Sequence, residues 1–469
     1  MLDLALFAQV FVWLGVILVF FFTRQASVYH PLTVYLGFHG IVFVIRPLLV
    51  HYLGFDHEFL YMGLQPDEKL LARCLAVSSL GLIIIAGTVL WSGWSAIEFR
   101  TSSPQRFTQA QRRALCVVII ALAPLIAYSI HASHTNFATE DRGGTMVMVG
   151  AGGYTVEAQY MAGPLVCAVL AITRFRWYSL LLLIPYIGYR AYSGMSRWTI
   201  VLLFVALGLM FAWQRRSRWV PWWTLLCILP IFFMFKALGE NRTMVKRFVS
   251  GEDYRVEEHI EPGSSALDKL KTRYDGPDFA NFDFLAFVIA AVPDLTGTYT
   301  YGTQYLQLFT EPIPRKLWPD KPAGAPVSFF NLNNYGDFIG RTVTLVGDGW
   351  MSGGWLGVVI TMGVAGASLG RIHRWFWKNS SNNMVALFYL VGLAMLPQWF
   401  RDGGISIAKF FFWNLCPLVL WLAVTWLLGP RCVPGFSILL PRGARFRFIR
   451  AEVVKSTHSP SVQGGGTTS

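Results

Sequence analysis

Long apolar runs constrain this chain more than any other feature of its sequence. Eleven runs are separated by polar or basic segments, and most are long enough to cross about 30 Å of hydrocarbon as a helix. Only 14% of the residues are charged, against about a quarter in a soluble domain. The sequence therefore predicts an all-α polytopic integral membrane protein with about 11 transmembrane helices, within a range of ten to twelve. We expect them near residues 4–22, 32–53, 69–92, 114–131, 156–173, 177–193, 198–213, 219–238, 347–370, 384–400 and 406–428.

Basic residues collect in alternate connections between these runs. The positive-inside rule places those connections in the cytoplasm, so we expect an external N-terminus and an internal C-terminus. The net charge of +13 is interpreted as this topology signal, and we expect no nucleic-acid partner. The first run lacks a basic leader and a small-residue cleavage site, so we expect it to remain as a helix. The clustered cations are Arg24, Arg100, Arg106, Arg112, Arg113, Arg174, Arg176, Arg215, Arg216, Arg218, Arg371, Arg374, Lys378, Arg431, Arg442, Arg445, Arg447 and Arg450.

This topology divides the chain into four segments. Residues 1–238 hold predicted helices 1 to 8, and residues 347–428 hold helices 9 to 11. Residues 239–346 between them form one large external (periplasmic) loop, and loops of this length are usually functional. A short apolar stretch at 284–292 predicts an amphipathic interfacial helix or a re-entrant helix within that loop. Residues 429–469 form a basic cytoplasmic tail that we expect to be disordered.

Several classes of chemistry have no signal in the sequence. Five of the six cysteines fall in apolar runs and the sixth lies in the tail, so no external disulfide framework is predicted. No Cys or His cluster has the spacing of a metal site. There is no P-loop and no Gly-x-Gly-x-x-Gly after a strand. We therefore expect neither a cofactor nor a metal, and an ATP-driven pump is disfavoured.

The most polar part of the predicted external loop is a proline-rich segment. Prolines at 312, 314, 319 and 322 fix their own φ and bias the preceding residues toward extended conformations. A stiffened loop therefore presents several charges: Glu311, Arg315, Lys316, Asp320 and Lys321. Tyr305 and Trp318 lie in the same region, and aromatic rings suit either a membrane interface or the apolar face of a sugar.

Arginines at helix edges suggest an anion site. Ionisable groups at membrane depth are costly, so they usually face a protein or water cavity. Either each of these arginines is a snorkelling anchor, or several converge on one external cavity suited to a phosphate or pyrophosphate. The helix-edge arginines are Arg46, Arg190, Arg197 and Arg401, and the loop cations that would join them are Arg315, Lys316 and Arg341.

The loop motifs resemble a known family. The pattern Tyr-Gly-x-x-Tyr ends at Tyr305, Ile-Pro-Arg-x-Leu-Trp-Pro-Asp-Lys-Pro spans 313–322, and Gly-Asp-Gly-Trp…Gly-Trp-Leu-Gly spans 347–357. Together they are similar to motifs of O-antigen and exopolysaccharide repeat-unit polymerases, the Wzy-type oligosaccharide polymerases. The helix start at Arg197 and the Arg401-Asp402-Gly403 turn are also similar to features of that family. One departure is Asp348, which stands where relatives carry Glu.

The resemblance implies a GT-C-like architecture with one large external loop, in a bacterial inner membrane. It implies transfer of a growing glycan from undecaprenyl pyrophosphate to a second lipid-linked repeat unit, with a flippase and a chain-length regulator as partners. Arg315, Lys321, Arg341 and Arg401 would stabilise the leaving pyrophosphate. The hydroxyl of the acceptor sugar needs a base. The candidate bases are Asp320, Asp348, Glu311 and Asp402, with His131 and His134 as alternatives.

Two other functions remain open at this point. An O-antigen ligase-like transferase would use the same donor with a different acceptor. A transporter of polysaccharide or lipid-linked sugar would carry out no chemistry, and transporters usually show repeated halves and broken helices. Here the polar residues are concentrated in one loop rather than duplicated, which favours an enzyme.

Overall fold

Most of the chain is described by the computed structural model, and nearly all of what is described is helical. The described residues are 1–55, 67–94, 107–135, 139–142, 145–148, 153–193, 198–221, 280–310, 313, 317, 318, 342–404 and 407–428. Eight helices within these ranges are long and apolar enough to cross a membrane. This confirms the prediction of a multi-pass helical membrane protein. The eight spans are Leu2–Phe22, Pro31–Leu53, Glu68–Gly93, Gln109–Ser133, Tyr154–Thr173, Thr344–Lys378, Asn383–Asp402 and Ala408–Leu428.

The helices are numbered here in chain order from α1 to α16. Their bounds are Leu2–Phe22, Pro31–His39, Arg46–Leu53, Glu68–Gly93, Gln109–Thr135, Gly153–Glu157, Ala162–Thr173, Trp177–Leu180, Leu183–Ser193, Trp198–Gln214, Asn281–Ala291, Gln307–Thr310, Thr344–Lys378, Asn383–Ala394, Leu396–Asp402 and Ala408–Leu428. A π-helix, Gly40–Ile45, joins α2 to α3 within one span. Two 3-10 helices cover Ala158–Met161 and Thr303–Leu306.

The eight spans correspond to eight of the eleven predicted helices. Of the other three runs, one is divided, one forms a shorter helix, and one lies mostly outside the described residues. The run at 177–193 forms α8 and α9 with a two-residue turn between them. Pro185 lies in the first turn of α9, where its missing N–H costs no intrahelical bond, so α9 begins afresh there. Helix α10 has 17 residues, and residues 222–238 of the run at 219–238 lie outside the described residues.

One short β-hairpin departs from the all-α prediction. Strands β1 (Thr139–Arg142) and β2 (Thr145–Met148) pair antiparallel, with Arg142 opposite Thr145. Two residues separate the strands, and in the sequence both are glycine. A Gly-Gly pair is a common signal for a two-residue hairpin loop. The hairpin lies in the connection between α5 and α6, so it adds to the all-α architecture of the spans and does not change it.

The centre of the molecule is the contact between α4 and α13. Glycines let the two backbones approach closely: a Cβ atom on Gly370 would lie 2.7 Å from the Gly93 nitrogen, and one on Gly366 would lie 2.8 Å from the Ile85 carbonyl oxygen. Close approach through small residues is a usual way for membrane helices to pack, because burial from lipid gives little hydrophobic driving force. This contact therefore has no room for larger side chains.

Helix α11 is inserted against α4 and α13. All of its residues are buried except Ala290, which is partly buried. The Cys74 thiol of α4 contacts the Phe282 carbonyl oxygen at 3.8 Å, and the Trp350 indole of α13 donates to the Val292 carbonyl oxygen at 2.8 Å. A helix lying in the membrane interface would expose one face, and α11 exposes none. The protein therefore surrounds α11 on all sides, and its assignment as an interfacial or a re-entrant helix stays a prediction.

Contacts between helix termini define two ends of the membrane domain. At one end Arg374 donates to the Trp94 carbonyl oxygen at 3.0 Å, and Trp421 donates to the Gln111 carbonyl oxygen at 2.7 Å. We call this the arginine end. Among the described residues it carries no carboxylate. Its cations are Arg24, Arg112, Arg113, Arg174, Arg176, Arg215, Arg216, Arg218, Arg371, Arg374 and Lys378.

The opposite end of the membrane domain is formed by the other termini of the same helices. Here His51 lies 2.9 Å from Asp3, Lys409 lies 3.6 Å from Glu157, and the Arg401 guanidinium lies 5.1 Å from the centre of the Trp198 ring. We call this the carboxylate end, because the described carboxylates belong to its half of the molecule. The separation of charge has the pattern that the positive-inside rule describes.

Candidate functional site

Asp348 is a fully buried carboxylate near the start of α13. Its Oδ2 atom accepts a hydrogen bond from the Gly404 N–H at 2.5 Å. Its Oδ1 atom is also buried and has no hydrogen-bond partner among the described residues. A buried carboxylate that lacks a paired cation is unusual, because desolvation strongly disfavours its charge. Asp348 is therefore a functional candidate rather than a surface feature.

A break in α13 positions this carboxylate. The helix loses helical geometry at Gly353 and Gly354, and Gly354 has a φ of +60°. The segment before the break packs closely on the segment after it, since a Cβ atom on Gly349 would lie 2.8 Å from the Val358 Cα atom. Asp348 is thus carried on a short helical segment that precedes the long part of the span.

The turn after α15 reaches Asp348 because it consists of two glycines. Gly403 has a φ of +81°, and a Cβ atom there would lie 2.5 Å from the Asp348 Oδ2 atom. A Cβ atom on Gly404 would lie 3.0 Å from the Tyr305 ring. Side chains at these two positions would separate the turn from the carboxylate, so the contact requires glycine.

Two residues of the 3-10 helix Thr303–Leu306 complete the surroundings of Asp348. Gln304 is buried, and its amide donates to the Ser352 hydroxyl at 2.6 Å and to the Asp348 carbonyl oxygen at 3.4 Å. Tyr305 lies beside Gly404, and burial raises the pKa of its phenol, with the nearby Asp348 charge as a second cause. Tyr305 therefore remains a neutral hydrogen-bonding group at ordinary pH.

Arg401 and Asp402 lie at the end of α15, just before the glycine turn. The Arg401 Nη1 atom is 3.6 Å from the Asp402 Oδ1 atom, and its guanidinium lies against the Trp198 ring. The Gln398 amide donates to the Asp402 Oδ2 atom at 3.2 Å. Arg401, the cation predicted for a pyrophosphate site, thus has a neighbouring carboxylate that partly neutralises its positive charge.

Arg46 is held inside the protein. It is 2% exposed, and its Nη2 atom lies 3.5 Å from the Oδ2 atom of the fully buried Asp283. In the same turn of α11 the Asn281 amide donates to the Thr342 hydroxyl at 2.9 Å. A buried ion pair of this kind is expensive to break. Arg46 begins α3 directly after the π-helix, so this ion pair links that part of the second span to α11. Its predicted role toward an external anion stays a prediction.

The structure brings three of the predicted site residues into one region: Tyr305, Asp348 and Arg401. Trp318 is described and 38% exposed, but no contact links it to that region. The remaining predicted site residues lie outside the described residues: Glu311, Arg315, Lys316, Asp320, Lys321, Arg341 and Arg197.

Sequence reasoning missed several residues of this region. Gln304, Gln398 and the Gly403–Gly404 pair were not assigned roles as neighbours of the carboxylate. Asp283 was also missed, although it precedes an apolar stretch directly. An acidic residue at the edge of one apolar run and an arginine inside another are a recognisable signal for a buried pair.

An apolar groove ends at the same place. It has a volume of 460 Å³ and lies between α13, α14 with α15, and α16. Leu369, Phe388, Leu393 and Phe411 are typical of its walls, and Gly404 is among its lining residues. One residue therefore borders both the apolar groove and the buried carboxylate.

No protein-family model, no curated protein and no solved structure matches this chain. Among the described residues no group of three or more His, Cys, Asp or Glu side chains has the arrangement of a metal site. The region around Asp348 offers a carboxylate oxygen able to accept a proton, a neutral phenol, an arginine and an adjoining apolar surface.

Proposed function

We propose that this chain is a glycosyltransferase that polymerises lipid-linked oligosaccharide repeat units at the carboxylate end of the membrane domain. The observation that carries the proposal is the meeting of the apolar groove and the Asp348 site at Gly404. A lipid-linked sugar has a long apolar chain and a polar head. Its site therefore needs an apolar surface directly beside polar groups that fix orientation.

The proposed reaction needs no nucleotide, because the lipid pyrophosphate is already a leaving group. The donor glycan is held on undecaprenyl pyrophosphate, and the bond between its anomeric carbon and the phosphate oxygen breaks. The pyrophosphate departs with the electron pair, and a hydroxyl oxygen of the acceptor sugar forms the new glycosidic bond. The proton of that hydroxyl goes to the Asp348 Oδ1 atom, which acts as the general base.

The neighbours of Asp348 have separate parts in this proposal. The Gly404 N–H holds the Oδ2 atom and leaves Oδ1 as the proton acceptor. Tyr305 donates a hydrogen bond as a neutral phenol. Arg401, together with the loop cations Arg315 and Arg341, would stabilise the charge that develops on the pyrophosphate. The GT-C-like architecture, the eleven spans and the bacterial inner membrane belong to the same proposal.

Two broken helices favour transport as a second candidate function. The second span is interrupted by the π-helix Gly40–Ile45, and α13 is interrupted at Gly353–Gly354. Transporters often place such breaks beside ionisable residues, as here with Arg46 and Asp348. In this alternative the protein moves a lipid-linked sugar across the membrane through the carboxylate end, and no covalent bond is formed or broken.

Analysis of lipid-linked material in a deletion strain separates the candidates. A polymerase predicts that single undecaprenyl-linked repeat units accumulate on the external side. Long undecaprenyl-linked chains would instead indicate a ligase-like transferase. Accumulation on the cytoplasmic side would indicate a transporter. Either of the last two results would overturn the proposal.

Asp348→Asn tests the role of the carboxylate. Asn keeps an oxygen for the Gly404 N–H but cannot take a proton, so we expect polymer formation to fall by about 10²–10⁴-fold with normal protein abundance. Asp294→Asn is the matched control, since Asp294 is exposed and lies on the chain segment that leads from α11 to the 3-10 helix. The measurement is the glycan chain-length distribution after complementation of the deletion strain. Wild-type lengths with Asp348→Asn would exclude Asp348 as the base.

A further inference from the structure

A second cavity lies at the arginine end, far from the Asp348 site. It has a volume of 540 Å³ and is lined by Arg112, Arg174 and Arg176. Asn383, at the start of α14, also lines it. The span Asn383–Asp402 has 20 residues, and at 1.5 Å per residue its two ends are about 30 Å apart. The cavity is therefore a separate site from the one at Asp348.

The three arginines have no carboxylate partner among the described residues. Each side chain is exposed, and no described carboxylate lies at this end of the molecule. Arg174 moreover has a φ of +55°, a left-handed conformation that costs about 1–2 kcal/mol for a residue with a side chain. Glycine is the usual residue at such a helix end. An arginine at a strained position, next to two other cations, points to an anionic ligand.

The cavity has an apolar wall behind this cationic rim. Met210, Leu387 and Leu390 are among its lining residues. Next to Arg176, Trp177 is 76% exposed and Tyr178 is 47% exposed, and exposed aromatic side chains of this kind mark the head-group level of a membrane. A ligand at this place can put its charge on the arginines and its apolar part on the wall.

We infer that this cavity binds an anionic phospholipid, with the phosphodiester of the head group on Arg112, Arg174 and Arg176. Arginine matches phosphate oxygens with two parallel N–H donors, and basic pockets between transmembrane helices suit anionic head groups. The chain's own tail begins at the same end but is unsuited as the occupant. It carries five arginines and a single carboxylate, Glu452, so its charge has the same sign as the rim.

The test is a binding measurement on the purified full-length protein in a neutral detergent. Native mass spectrometry gives the affinity for phosphatidylglycerol, with phosphatidylcholine and inorganic phosphate as the other two probes. The cavity variant is Arg112→Gln with Arg174→Gln and Arg176→Gln. The matched control is Arg113→Gln with Arg371→Gln and Lys378→Gln, which removes the same charge from the same end without touching the cavity lining.

We expect the cavity variant to lose about 100-fold in phosphatidylglycerol affinity, from about fivefold per cation, and the control variant to lose less than about threefold. Equal losses in both variants would overturn the inference in favour of unspecific surface attraction. Tight binding of inorganic phosphate, or equal binding of phosphatidylcholine, would overturn the assignment to an anionic lipid. If the triple variant does not fold, Arg112→Gln alone decides, with an expected loss of about fivefold against none for Arg113→Gln.

Discussion

The two ends of the membrane domain treat charge in opposite ways. At the carboxylate end, several charged groups lie inside the protein and are paired, as with Arg46 and Asp283 or Arg401 and Asp402. At the arginine end, cations such as Arg112 and Arg176 are exposed and line an open cavity. The same helices supply both ends, so the two ends differ in where the charged side chains lie as well as in how many there are.

This difference indicates what each end can bind. Buried paired charges are fixed by the fold, so a ligand there meets rigid groups. One of them is the Asp348 carboxylate, whose Oδ1 atom has no hydrogen-bond partner among the described residues. Exposed unpaired cations can change conformation to follow a mobile anion, and salt screens their attraction for it. Chemistry therefore fits the carboxylate end, and reversible lipid binding fits the arginine end.

The largest effect should come from breaking the buried pair. Arg46→Gln leaves Asp283 without this cation, and we expect about 3–5 kcal/mol of lost stability, measured by unfolding in detergent micelles. The double variant Arg46→Leu with Asp283→Leu should recover most of it, because neither charge is then buried. His51→Gln is the control, since its pair with Asp3 is exposed and its loss should not be measurable. Equal effects of the two single variants would show that burial does not distinguish these pairs.

Arg315→Ala asks whether polymer formation depends on the predicted pyrophosphate cations. Removal of one donor to developing charge typically costs about 10²–10³-fold, so we expect long-chain polysaccharide to disappear while the protein stays inserted and abundant. Arg113→Ala, a charge change at the arginine end, should leave chain lengths unchanged. Normal chain lengths with Arg315→Ala would exclude Arg315 as a cation that stabilises the leaving pyrophosphate.

Gly403→Ala tests the contact between the glycine turn and Asp348. The added methyl group would lie 2.5 Å from the Asp348 Oδ2 atom, on a backbone that only glycine adopts readily, so we expect a cost of about 1–3 kcal/mol. Polymer formation should fall together with stability, as read from chain lengths and unfolding. Gly208→Ala is the control, because nothing lies within 4 Å of its Cβ position. An unaffected Gly403 variant would mean that the turn yields without disturbing the carboxylate.

The smallest expected effect has the opposite sign. Arg174→Gly removes a side chain from a left-handed position, and we expect a gain of about 1 kcal/mol in stability with weaker binding of phosphatidylglycerol. Arg113→Gly, within the regular helix α5, should instead cost about 1 kcal/mol. Thermal unfolding in detergent measures both. A loss of stability with Arg174→Gly would show that the left-handed arginine is held by contacts rather than strained.

The spans were predictable from the sequence because the length of an apolar run is a local property. Tyr305, Asp348 and Arg401 were predicted from a loop aromatic, the Gly-Asp-Gly-Trp motif and a helix-edge arginine, which are also local features. The structure brings them into one region, and their roles stay predictions. The break of the run at 177–193 could have been predicted from Pro185, but the length of the run by itself does not show it. The hairpin was not predicted because it lies in a polar connection, on which the length of apolar runs gives no information.

The remaining features depend on contacts between distant parts of the chain. Arg46 and Asp283 are 237 residues apart, and neither position by itself indicates the other. The glycine turn is 56 residues from the carboxylate that it contacts. The meeting of groove and carboxylate at Gly404 follows from the packing of four helices, which no periodicity of the sequence encodes.

The burial of α11 has a consequence for biogenesis. Its neighbours in α4 are complete by Gly93, whereas α11 begins at Asn281. At translation rates of about 5–20 residues per second, the early helices stand in the membrane for roughly 10–40 s before their innermost partner is synthesised. During that interval Arg46 lacks Asp283. Until then, the surface of α4 that α11 later covers contacts water, lipid or another protein, and α11 replaces that contact when it packs.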